Sequence, residues 1–68
     1  MIENVTIRKS SIDEPPTFEV GYFDLAMKDD KRYCWSVRYG TETQMRELLR
    51  SHGVPDKEID EDFDIAKR

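Results

Sequence analysis

The sequence is poor in the residues that usually carry chemistry. It has one cysteine and one histidine. Cys34 has no partner for an internal disulfide, and a zinc site assembled from Cys and His clusters is excluded. Cys34 and His52 are the only nucleophile–base candidates. They fall on different elements with no third orienting group, so no catalytic residue is assigned. The three glycines, Gly21, Gly40 and Gly53, are isolated, which excludes a glycine-rich phosphate loop. No run approaches the roughly 20 apolar residues of a membrane span. No signal-peptide pattern opens Met1–Lys9, where Glu3, Asn4 and Thr6 interrupt the apolar residues. A reducing cytoplasm is the expected compartment. Neither a cofactor nor a metal is implied.

A basic surplus is also missing. The net charge is −4. Residues 1–54 carry nine acids and eight bases, and residues 55–68 carry six acids and three bases. The acidic excess belongs to the tail, and a near-neutral body disfavours binding through phosphates.

What is present suits one small α+β domain over residues 1–68. A chain of 68 residues hides only about 60% of its unfolded surface, which leaves no room for a deep private pocket. Function is therefore expected on a surface. The charged fraction of 38% is of mixed sign and accompanies Phe18, Tyr22, Phe23, Tyr33, Trp35, Tyr39 and Phe63. That combination describes a solvated surface around one core, not disorder.

Val5 and Ile7 alternate with polar residues and predict a short first strand. Lys9–Pro16, with two serines and paired prolines, predicts a long connection. Thr17–Met27 predicts a second strand whose apolar positions change parity at Gly21: Phe18, Val20 and Tyr22 before it, Phe23, Leu25 and Met27 after. Either a β-bulge at Gly21 returns the first set to the core face, or a regular strand is apolar on both faces and one face needs a partner. In the second case self-association through an apolar sheet face carrying Phe18, Val20 and Tyr22 is expected. Lys28–Arg32 predicts a hairpin loop. Tyr33, Trp35, Val37 and Tyr39 alternate with polar residues and predict a third strand.

Opposite residues in an antiparallel pair share a face. An odd-length loop centred on Asp30 sets Met27 against Tyr33, Leu25 against Trp35 and Phe23 against Val37, which makes one uniformly apolar face. The expected outer face then carries Tyr22 beside Arg38, with Arg32 and Cys34. Thr41-Glu42-Thr43-Gln44 fits a capping box and opens a helix, with Met45, Leu48 and Leu49 inward. Gly53 stops it at about Glu42–His52, and Val54 then touches Leu49. Pro55–Asp62 predicts a second helix. Phe63–Arg68 fits either its continuation or a terminal strand, with fraying at the end.

The expected fold is thus a three-stranded antiparallel sheet (β-β-β-α, with a second C-terminal helix) covered by helix on one face. The expected core is Val5, Ile7, Phe23, Leu25, Met27, Tyr33, Trp35, Val37, Met45, Leu48 and Leu49. Two surfaces are candidates for binding. One is the acidic segment with Asp60, Glu61 and Asp62, which suits a basic protein partner. Its spacing lacks the central glycine and terminal glutamate of a calcium loop. The other is the outer sheet face with Tyr22, Arg38 and Arg32, where Tyr and Arg suit an interface anchor. The function expected is a non-catalytic protein-binding, adaptor or regulatory role. The alternative is an RNA or single-strand binding module using the 22–38 hairpin face.

Overall fold

In a computed structural model, residues 1–27, 29 and 34–68 are described, with the side chain of Met27 excepted. Three strands, β1 (Ile2–Lys9), β2 (Thr17–Asp24) and β3 (Ser36–Thr41), form an antiparallel sheet in the order β1-β2-β3. Helices α1 (Glu42–Ser51) and α2 (Asp56–Ala66) follow. Both lie on the same side of the sheet, α1 over β3 and β2, and α2 over β1. The α+β fold expected from the sequence is the fold observed. No helix among the described residues is long and apolar enough to cross a membrane.

The helices form where local chemistry directs them. Thr41 Oγ1 accepts from the Gln44 N–H at 3.3 Å, and Gln44 Oε1 accepts from the Thr41 N–H at 3.0 Å, completing the capping box. At the other end Gly53 takes a left-handed φ of 84°. Its N–H reaches the Arg50 carbonyl at 2.9 Å, and the Val54 N–H reaches Leu49 at 3.0 Å. That pair of bonds is a Schellman cap. Pro55 sits one position earlier than expected, as the N-cap of α2. Residues 63–66 continue as helix, and Phe63 is fully buried.

The sheet corrects the expected core. The buried hydrophobic residues are Phe18, Val20, Tyr22, Met45, Leu49, Ile59 and Phe63. Ile2, Val5, Ile7, Leu48 and Val54 pack against them. The core face therefore holds the early apolar set of β2, and not Phe23, Trp35 and Val37. The central strand decides this, because it has neighbours on both sides. Over Thr17–Asp24 one face presents Phe18, Val20 and Tyr22, with Asp24 at the strand's end. The other presents Thr17, Glu19, Gly21 and Phe23, and covering that face with helices would bury a charge.

The bulge is also elsewhere. β2 and β3 pair regularly through Gly21. The irregularity lies in β1, between the pairs Glu3–Phe23 and Thr6–Gly21, where Asn4 adopts φ 56°. The extra residue switches parity, so Ile2, Val5 and Ile7 all reach the helix side. The strand expected to run to Met27 stops at Asp24, whose Oδ1 accepts the Ala26 N–H at 3.0 Å and starts a single 3-10 turn, Leu25–Met27. Leu25 is half-buried at that turn. The third strand begins at Ser36 and runs through Gly40 to Thr41. Its register is two residues from expectation, with Val37 opposite Gly21 instead of Phe23. Tyr33, Arg32, most of the expected hairpin loop and the Met27 side chain lie outside the described residues.

Candidate binding face

With both helices on one side, the other side of the sheet is open. Neighbouring residues on that side are Thr6 and Arg8 of β1, Glu19, Gly21 and Phe23 of β2, and Val37 and Tyr39 of β3. Trp35, just before β3, joins them. Its ring meets Phe23 edge-on, with centroids 5.1 Å apart and planes at 72°. The indole lies over Gly21, where a Cβ would fall inside its van der Waals surface. Glycine is thus a seat for the tryptophan. Trp35 remains 39% exposed and Tyr39 64% exposed.

The polar side of this face is already organised. Tyr39 Oη donates to Glu19 Oε1 at 2.9 Å. Arg8 pairs with the same carboxylate. The tyrosine hydroxyl first, and the guanidinium second, hold the Glu19 carboxyl below its ordinary range. Glu19 in turn raises the Tyr39 hydroxyl above its ordinary value. The face thus joins aromatic rings to a neutralised Arg–Glu–Tyr cluster.

The residues singled out from the sequence are dispersed. Tyr22 is buried on the helix side, with its ring 5.2 Å from the His52 ring. It does not stack on Arg38, because Ser36 lies opposite Tyr22 and Val20 opposite Arg38. The two-residue register difference separates them and the face assignment buries one of them. Phe18, Val20 and Tyr22 are therefore not an exposed surface for self-association. Arg38 is exposed and donates from Nη1 to the Val37 carbonyl at 3.0 Å. Cys34 is exposed.

The acidic segment does two things. Asp56 and Asp60 face α1 and pair with Arg50, at 2.8 Å, and with Arg46. Arg46 also reaches Glu42 at 2.8 Å and lies 4.8 Å from the centre of the Phe63 ring. Lys67 Nζ closes on Glu42 at 2.7 Å. Part of the run is therefore a clamp between helices. Hydrogen bonds from Lys67, with a further one from Arg46, outweigh burial and hold Glu42 below its ordinary range. Glu58, Glu61 and Asp62 make no ion pair among the described residues. Burial first, then Glu58 and Glu61, push the Asp62 carboxyl up.

No pocket and no group of three metal-ligating side chains occurs among the described residues. The candidate site is consequently a face. Of its members, Phe23 and Trp35 were expected in the core, and Arg8, Glu19 and Tyr39 were legible only as strand residues. The missed signal was Glu19–Gly21 in the central strand, which marks the side that helices do not cover. Compared with protein-family models, curated proteins and solved structures, the chain matches none.

Proposed function

We propose that this chain is a non-catalytic protein-binding module that docks a partner on the open face of its sheet. One observation carries the reading: Trp35 and Tyr39 stand exposed beside Phe23 and Val37 on a face without helical cover. Tryptophan and tyrosine anchor interfaces because each brings a large rigid apolar area together with a polar tip. The Arg8–Glu19–Tyr39 cluster supplies a polar rim that needs no counter-charge from the partner. The acidic helix is the weaker route to a partner, since Asp56 and Asp60 are already engaged by α1.

A single-stranded nucleic acid is the second reading, favoured by the same aromatic face, on which bases stack. Charge weighs against it. Arg8 is committed to Glu19, and the chain carries net −4. Affinity capture from host lysate at two salt concentrations, with protein and nucleic-acid readouts, separates the two. The expected result is a captured protein that survives the higher salt. It is lost with the double variant Trp35→Ala/Tyr39→Ala and kept with Glu58→Lys/Glu61→Lys. Nuclease-sensitive capture that collapses with salt transfers the assignment to nucleic acid. Capture lost only with the helix variant moves it to α2.

A further inference from the structure

The two edges of the sheet differ. β1 is broken by the bulge at Asn4 and carries Glu3, Arg8 and Lys9. Bulges and charges of this kind keep an edge from pairing with another chain. β3 is regular over Ser36–Thr41 and has one charged residue, Arg38. The ladder identifies its outward backbone groups. The Ser10 N–H donates to the Thr17 carbonyl at 2.9 Å, and the Leu25 N–H to the Met1 carbonyl at 3.0 Å. Odd-numbered β2 residues thus aim their backbone at β1, and even-numbered ones at β3. Ser36, Arg38 and Gly40, opposite the even-numbered residues, face β2. The N–H and C=O groups of Val37 and Tyr39 therefore point to the open edge. Arg38 Nη1 occupies the Val37 carbonyl, and Gln44 Oε1 takes the Thr41 N–H.

We propose that β3 pairs antiparallel with β3 of a second copy, across a twofold axis centred on Val37. The side chains along this edge are self-complementary in register, and the small charge balance around it does not oppose the pairing. Residues 34–53, which form this edge and the helix above it, hold three arginines and two glutamates. The acid-rich α2 lies over β1, at the far edge. Two copies therefore meet at β3 without the repulsion that a net charge of −4 raises elsewhere. A twofold centred on Arg38 sets two guanidiniums directly opposite, which is destabilising. A centre between Val37 and Arg38 mixes the two faces. A centre on Val37 sets Val37 against Val37, Trp35 against Tyr39 and Arg38 against Ser36, and keeps every aromatic ring on the open side. The interface is isologous, as a twofold requires. Each Val37 N–H replaces the Arg38 guanidinium on the partner's carbonyl. The Gln44 cap at Thr41 ends the new ladder, which spans residues 35–39. A contact this short belongs to the weak, concentration-dependent class. The product is a six-stranded sheet with one continuous aromatic face, whatever that face binds.

Sedimentation equilibrium over a concentration series reaching about 1 mM, the weak end of specific association, tests this. The expected apparent mass rises from 8.1 kDa toward twice that value. Val37→Lys, which opposes two cations at the axis, is expected to hold the single-chain mass with an unchanged circular dichroism spectrum. In the wild-type chain, isotope-filtered NMR of a labelled and unlabelled mixture is expected to give cross-peaks between Trp35 of one copy and Tyr39 of the other, with no variant needed. A wild-type mass that stays at one chain across the series overturns the proposal. So does a dimer without those cross-peaks, or one that folded Val37→Lys leaves intact. Each of these failures leaves the partner-binding reading of the open face standing, because capture by Trp35 and Tyr39 is measured separately.

Discussion

The two faces of the sheet both carry aromatic residues, yet they do opposite work. On the helix side Phe18, Val20 and Tyr22 are buried, and Phe18 meets Phe63 edge-on at 5.1 Å. On the open side Phe23 and Trp35 pack against each other at the same centroid distance, but Trp35 and the neighbouring Tyr39 remain in solvent. Contact between aromatic rings alone therefore does not define a core. The difference lies between them along the strand. Glu19 and Gly21 interrupt the middle of the open face with a charge and a missing side chain, whereas on the helix face the charged residue, Asp24, comes at the end of the strand. A face whose centre must keep a carboxylate hydrated is one that helices leave uncovered, and its aromatics are left for another surface.

Phe63→Ala is the costliest change expected on the helix side. Truncating a fully buried phenylalanine typically costs about 3–5 kcal/mol, a large share of the margin of a domain this small. Thermal and urea unfolding should show most of the native population lost, whereas Trp35→Ala, at an exposed site, should leave a folded chain. Gly21→Ala comes next. The new Cβ displaces the indole of Trp35, and an overpacked contact of this kind costs about 1–3 kcal/mol. Combining it with Trp35→Ala should recover most of that loss, and a double-mutant cycle measured by chemical denaturation should give a coupling of the same order. If Gly21→Ala is as costly without the indole as with it, the seat has another purpose.

The smallest effect has the opposite sign. Asp62 is held above its ordinary pKa by burial and by Glu58 and Glu61. Its ionised form is disfavoured in the folded chain, so it subtracts stability at neutral pH. That penalty fades as pH falls through the raised folded-state pKa toward the ordinary carboxylate value. Asp62→Asn should therefore raise the melting temperature slightly at pH 7, and the two curves should converge in acid. Glu42 runs the other way. Its lowered pKa contributes stability above the ordinary glutamate range, and that contribution disappears as pH falls through the folded value. Melting temperatures of Asp62→Asn and Glu42→Gln across pH should accordingly diverge from the wild-type curve in opposite directions at pH 7.

The elements that rest on neighbours in sequence were readable in advance. Thr41 with Gln44, and Gly53 with Val54, built the helix ends they were expected to build. Met45 and Leu49 are buried at their helical spacing. The strands were readable as strands, but the best-patterned run, from Tyr33 to Tyr39, misled as to what is inside. An alternating strand at a sheet edge records only that its two faces differ. It does not record which one is dry. The same limit hid the candidate site, because Phe23, Trp35 and Val37 are apolar, share a face and so read as core.

Local chemistry was enough to specify the order of strands and helices, both caps of α1, the long connection between β1 and β2, and the parity that keeps Phe23, Trp35 and Val37 on one face. Those features depend on contacts within a few residues or on strand periodicity. Packing between distant elements settled which face the helices cover, the bulge at Asn4 that brings Ile2 inward, and the β2–β3 register, in which Trp35 lies over Gly21. Each of these compares two whole arrangements of packed side chains, and local propensity does not distinguish arrangements that share the same periodicity.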